Sequence, residues 1–161
     1  MSVAFRRDSD EEHLEPKFEL PIPAGPNRVT ARGLALIAER IAALTAELAS
    51  TQDPAGTPNP ADVAALQRDL RYWHTRQITA ELAPVPSGDK VELGTEVRVR
   101  LNGSPRTFRI VGDDEADPAA GLISFNAPLS RAMLGAEVGE VLAFGGVEGA
   151  IEVVGIEVAG E

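Results

Sequence analysis

Acidic side chains are the residues of this chain best suited to chemistry, because carboxylates bind hard cations such as Mg²⁺ and a metal site can activate and orient water. Two of them, Asp53 and Asp62, lie near the turn in the loop STQDPAGTPNPAD, nine residues apart. Each also has a structural interpretation. Asp62 would meet the dipole of a helix capped by Asn59, and Asp53 precedes a proline, as turn residues often do. Asp53 and Asp62 are therefore only candidates for a catalytic role.

A second acidic group follows the apolar run that ends at Gly112, and it consists of Asp114, Glu115 and Asp117. Its spacing lacks the glycine and the final glutamate of a calcium-binding loop, so we expect no metal site there. Two interpretations stay open, a solvated turn and a contact surface for a partner.

Apolar residues recur at spacings of three and four on both sides of the loop that contains Asp53 and Asp62, and this spacing predicts a helix on each side. The two helices would position the two acids. The first series consists of Leu34, Ile37, Ile41, Leu44 and Leu48, and the second of Val63, Leu66, Leu70 and Trp73. Thr30 is a suitable N-cap for the first helix, and Asn59 followed by Pro60 suits the start of the second. The pattern predicts an antiparallel helical hairpin, each helix roughly 30–36 Å long.

The second acidic group must be positioned by a sheet. The run VRVRL places Val97 and Val99 on one face and Arg98 and Arg100 on the other, as in a half-buried strand. Hairpin signals follow at 102–103 and at 145–146, and Pro128 opens one short helix. We therefore predict an α+β fold whose sheet has five or six mainly antiparallel strands.

Composition limits the classes of partner. The formal charge is −10, and residues 85–161 carry 13 acidic against 6 basic side chains. Such a surface repels phosphate backbones, so we expect no autonomous nucleic-acid binding and favour a protein with a basic patch. The absence of cysteine and of any long apolar run predicts a cytoplasmic protein without a membrane partner, and we expect a monomer.

Three segments follow from these patterns. Residues 1–27 are acidic and rich in proline and are expected to form a disordered tail. Residues 28–84 are expected to form the helical hairpin, and residues 85–161 the sheet domain.

A dense motif covers residues 108–135, FRIVGDDEADPAAGLISFNAPLSRAMLG, with Glu137-Val138-Gly139-Glu140 after it. It resembles the C-terminal domain of the Gre (GreA/GreB) family of bacterial transcription elongation factors. Their signature has a strand ending in Val-Gly, then Asp-Glu-Ala-Asp, a Gly-Xaa-Ile-Ser strand, Ser-Pro and a short helix. The resemblance implies an FKBP-like sheet domain after an N-terminal antiparallel coiled coil.

The resemblance also implies a partner and a mechanism. Gre factors insert their hairpin into the secondary channel of bacterial RNA polymerase, where two acids at the tip help to hold a second Mg²⁺ at the polymerase's own active site. Such a factor is not itself an enzyme and needs no cofactor except that Mg²⁺, if it is competent for cleavage. The implied docking surface consists of Ser124, Asn126 and Pro128 with the acidic residues Asp114, Glu115 and Asp117.

The loop between the helices departs from the family, because the tip motif Gly-Asp-Xaa-Ser-Glu-Asn-Ala is absent. A regulator that binds polymerase without stimulating cleavage is therefore favoured over a cleavage factor. Two alternatives remain: a peptidyl-prolyl isomerase and an interaction protein unrelated to polymerase. The isomerase would need aromatic pocket residues, and Phe108, Phe125 and Phe144 are explained equally well as core.

Overall fold

The computed structural model describes residues 19–51 and 59–159 and divides them into two compact units. One unit holds residues 19–24 and 39–78, and the other holds residues 25–38 and 79–159. Each predicted segment is one continuous stretch of sequence, whereas each of these units combines two separate stretches. Residues 1–18 of the predicted tail lie outside the described residues.

Two long helices, α1 (Ala31–Ser50) and α2 (Pro60–Thr79), confirm the predicted helical pair. Each has 20 residues and is therefore about 30 Å long at 1.5 Å per residue. No helix in the described part of the chain has both the length and the apolar character needed to cross a membrane.

Both predicted helix caps are confirmed. The Thr30 hydroxyl oxygen accepts a hydrogen bond of 3.0 Å from the Gly33 N–H. The Asn59 side-chain oxygen accepts one of 2.9 Å from the Ala61 N–H. Each cap satisfies an amide that has no partner inside its own helix.

The predicted seams are half-buried over most of their length, from Ile41 to Leu48 in α1 and from Val63 to Trp73 in α2. Leu34 is an exception, because its side chain is 37% exposed whereas Ile37 is fully buried. In the first turn the chain buries Gly33 in place of Leu34. The seam pattern therefore describes the burial of α1 correctly only from Ile37 onward.

The described residues contain seven strands and a short helix. The strands are β1 (Arg28–Val29), β2 (Glu81–Leu82), β3 (Thr95–Leu101), β4 (Ser104–Val111), β5 (Leu122–Ser124), β6 (Val141–Phe144) and β7 (Val147–Val158), and the helix is α3 (Pro128–Met133). Five strands form one sheet in the order β5-β4-β3-β7-β6. Its pairings are antiparallel except for β4 with β5, which are parallel.

The main core lies against one face of this sheet and is almost entirely aliphatic. Its most deeply buried members are Val97, Val99, Ile110, Ile151, Val153 and Met133. Each such side chain contributes roughly 1.5–3 kcal/mol by leaving water. The predicted alternation in β3 is confirmed, since Val97 and Val99 are buried while Arg98 and Arg100 are exposed. Among the aromatic rings, Phe108 belongs to the buried cluster, and Phe125 and Phe144 pack against it.

The segment before α1 packs on the end of β4. Strand β1 pairs in parallel with β2, and a Cβ added to Gly112 would lie 2.6 Å from the Arg28 carbonyl oxygen. Real Cβ atoms do not approach a backbone oxygen so closely, so position 112 has no room for a side chain. Val29 and Val111 are both nearly inaccessible here, at 2% and 1% exposure.

A buried carboxylate joins the start of α1 to the loop after β4. The Thr30 hydroxyl donates a hydrogen bond of 2.9 Å to one Glu115 carboxylate oxygen, and Arg32 lies 3.7 Å from the other. Only 4% of the Glu115 side chain is exposed. Thr30 therefore caps α1 and also satisfies a buried acid 85 residues away.

Replacing Thr30 with valine keeps the shape of the side chain and removes both interactions. We expect Thr30→Val to lower the free energy of unfolding by about 2–4 kcal/mol, since a lost cap costs about 1 kcal/mol and an unsatisfied buried group about 1–3 kcal/mol. Thr45→Val, at an exposed position of the same helix, is the control and should change it by less than about 0.5 kcal/mol. Urea unfolding measures both, and equal stability of the two variants would contradict the double role of Thr30.

Candidate functional site

The parallel pairing of β4 with β5 brings two loops to one edge of the sheet. Val111, the last residue of β4, lies opposite Ser124, the last residue of β5. Because parallel strands run in the same direction, the loops that follow them leave the sheet side by side. We call this surface, residues 113–117 and 124–128, the acidic edge.

Asp113 holds the acidic edge together. The Ser124 hydroxyl donates a hydrogen bond of 2.5 Å to one Asp113 carboxylate oxygen, and the Asn126 side-chain amide lies 3.2 Å from both oxygens. The Asn126 backbone N–H donates in turn to the Ser124 hydroxyl oxygen at 3.0 Å. Hydrogen bonds to a carboxylate are stronger than those between neutral groups, so they fix Ser124 and Asn126 relative to each other.

Ser124 and Asn126 are among the residues predicted for this surface, and Asp113, which joins them, is not. Asp113 is the first acid after Gly112, and it opens a 3₁₀ turn over Asp113–Glu115. Its place two residues after the end of β4 is a usable signal, because the residues that follow a parallel strand lie at the edge where the neighbouring strand also ends.

The three acids predicted to contact a partner differ in exposure. Glu115 is buried and engaged with Thr30 and Arg32, as described above. Asp114 is half-buried and Asp117 is exposed. The backbone of Asp117 exchanges hydrogen bonds with Leu122, at 2.8 and 3.1 Å, which leaves its side chain at the surface. The geometry therefore makes Asp117 the most accessible of the predicted acids.

Pro128 occupies the first position of α3 and is exposed. The preceding residue, Ala127, has extended backbone angles and supplies no side-chain cap, so this helix begins without the hydroxyl that a serine would provide. Pro128 fits the helix start because its missing N–H would have no intrahelical partner. Its exposed ring lies on the acidic edge, two residues after the fixed Asn126.

The two candidates for catalysis belong to the helical part of the chain. Asp62 is exposed and lies at the third position of α2, where its carboxylate faces the positive end of the helix dipole. Asp53 lies outside the described residues. Within residues 19–51 and 59–159, no three acidic or histidine side chains are grouped so that they could hold a metal ion. What the described site offers is a fixed hydrogen-bonding surface next to exposed negative charge.

Comparison with known proteins identifies the sheet domain. Residues 86–158 match the family model for "Transcription elongation factor, GreA/GreB, C-term". The chain is 46% identical over 68 residues to transcription elongation factor GreA of Agrobacterium fabrum, covering 39% of this chain and 43% of the relative. It is 38% identical over 75 residues to GreA of Desulfovibrio desulfuricans, covering 44% of this chain and 46% of the relative.

Solved structures of Gre-type proteins also align with this chain, at a lower sequence identity than the curated relatives. GreA factor homolog 1 of Thermus thermophilus aligns with a TM-score of 0.38 and 20% identity, over 83% of this chain and 99% of that one. The GreA/GreB factor of Nitrosomonas europaea aligns with a TM-score of 0.38 and 21% identity, over 83% of this chain and 98% of that one. The similarity of residues 86–158 to GreA/GreB factors depends on the sequence match alone.

The chain spans less than half the length of the curated relatives it matches. The match covers strands β3 to β7, the acidic edge and the short helix α3. Residues 86–158 are therefore similar to the C-terminal domain of GreA/GreB transcription elongation factors.

Proposed function

We propose that this chain is a transcription elongation factor of GreA/GreB type that binds bacterial RNA polymerase through its acidic edge. In this role it is an accessory factor and not an enzyme, and it acts in the cytoplasm, where the polymerase is. The observation that carries the proposal is the network in which Asp113 fixes Ser124 and Asn126 inside a GreA/GreB C-terminal domain.

The fixed network favours binding of a protein surface. Side chains that are already held in place lose less conformational entropy when a partner docks, so more of the contact energy appears as affinity. The exposed Asp117 and the chain's net charge of −10 attract a basic surface over distances up to about 8 Å at physiological salt. The acidic edge would thus combine steering by charge with specific hydrogen bonds.

We further propose that the helical hairpin points into the secondary channel and modulates elongation without stimulating RNA cleavage. A second Mg²⁺ needs several oxygen ligands at one point. Asp53 and Asp62 are nine residues apart, and Asp62 interacts favourably with the start of its own helix. A cleavage factor would need both carboxylates at one metal, and this spacing does not favour that arrangement.

Reversing the charge of Asp117 tests the steering role. We expect Asp117→Lys to weaken binding to purified core RNA polymerase about tenfold, mainly through slower association, and to reduce its salt dependence. Glu148→Lys makes the same change in net charge at an exposed position of β7 and is the matched control. Surface plasmon resonance at two salt concentrations gives both rates, and equal losses in the two variants would show that net charge alone matters.

Removing Asp113 tests the positioning role. Asp113→Ala releases Ser124 and Asn126, so we expect faster dissociation of the polymerase complex and an affinity lower by about tenfold. Asp89→Ala, at an exposed position of the same domain, removes the same charge and should leave the dissociation rate unchanged. The proposed surface would be wrong if Asp113→Ala dissociated at the wild-type rate.

A cleavage assay on backtracked polymerase complexes tests the function of the hairpin. We expect saturating wild-type protein to leave the cleavage rate at the level of polymerase alone. Acceleration by wild type that is lost in Asp53→Asn or Asp62→Asn would overturn this expectation and make the chain a cleavage factor. Binding measured on the same samples ensures that a lack of acceleration does not reflect a lack of complex.

A further inference from the structure

A cavity of about 330 Å³ lies outside the acidic edge, within the unit formed by residues 25–38 and 79–159. Its lining includes the linker residues 82–86, with Pro84 and Pro86, together with Leu93 in the turn before β3, Ile110 near the end of β4 and Val158 at the end of β7. Small-molecule sites have volumes of about 300–1,000 Å³ and mostly apolar walls with a few polar groups. This cavity falls at the small end of that range.

The linker wall is unusually apolar for an exposed segment. Val85 is 84% exposed and Leu82 is 59% exposed, although both border the cavity. Exposed apolar side chains around a concave space have a free energy to gain when a ligand covers them. The cavity therefore fits a ligand whose body is apolar.

Two arginines, Arg32 and Arg109, line part of the cavity. Arg32 has half of its side chain exposed, and its ion pair with Glu115 is long, at 3.7 Å. Arg109 lies 3.4 Å from Glu96 and is 28% exposed. A guanidinium carries five N–H donors, so one contact leaves most of the donors of each arginine available.

Each arginine is paired with a carboxylate, Glu115 for Arg32 and Glu96 for Arg109, so the two arginines offer a ligand their remaining N–H donors and not a net positive charge. Glu115 is only 4% exposed, and its oxygens face Thr30 and Arg32. Arg32 and Arg109 also line a second, more polar cavity that includes Thr107 and Gly121. The two guanidinium groups thus lie where an apolar space meets a polar one.

We infer that this cavity binds a small linear carboxylate. Its apolar chain covers Leu82 and Val85 along the linker, and its carboxylate accepts hydrogen bonds from Arg32 and Arg109. A neutral molecule of the same shape would lose the charged hydrogen bonds, and a short acid would lose the apolar contact. Both parts of the ligand are therefore required for binding.

Sodium octanoate is the probe, titrated into the full chain and followed by amide NMR. We expect saturable shifts for the amides of Leu82, Val85 and Gly94, and about tenfold weaker binding for octanol and for acetate. Arg32→Gln should weaken octanoate binding about tenfold and leave octanol binding unchanged. Arg100→Gln is the matched control, because Arg100 is exposed on the same sheet and does not line the cavity.

Three results would overturn the inference. The first is the absence of saturable shifts at these amides, and the second is equal affinity for octanoate and octanol. The third is a loss in Arg100→Gln as large as that in Arg32→Gln, which would indicate general attraction of anions. Arg32→Lys keeps the charge and should recover part of the affinity, which separates loss of the site from loss of the fold.

Discussion

The close approach of a backbone carbonyl to Gly112 is the constraint on which both sides of the sheet domain depend. The Arg28 oxygen occupies the space that a side chain at position 112 would fill. The contact is made by the residue that directly follows β4, where the acidic loop begins. It also sets the start of α1 close enough for Thr30 to reach Glu115. The absence of a side chain at position 112 thus permits the segment that carries the helix cap to pack beside the start of the acidic loop.

Local features of this fold could be predicted from the sequence because neighbouring residues determine them. The caps at Thr30 and Asn59 need only a suitable oxygen two or three residues before an amide. The alternation in β3 reflects the period of an extended strand, and the core is aliphatic because few aromatic residues are available. These predictions required no knowledge of distant contacts.

Contacts between distant parts of the chain could not be predicted from local sequence patterns. The pairing of β1 with β2 joins residues 53 positions apart, and strands of two residues leave no periodic pattern. The burial of Glu115 depends on a helix 85 residues earlier, so its sequence neighbours, Asp114 and Ala116, give no sign of it. Asp113 was missed because the identity of the acid that turns toward Ser124 depends on the geometry of one 3₁₀ turn.

The matched family domain and the compact unit are different objects, and this affects how the domain can be exchanged between relatives. The match begins at residue 86, but the compact unit also includes residues 25–38, which supply Val29, Thr30 and Arg32. A fragment cut at the start of the match would leave Val111 and Glu115 without the segment that covers them. In a chimera, the domain must therefore be transferred as two separate stretches of chain, with the helical hairpin as an insertion between them.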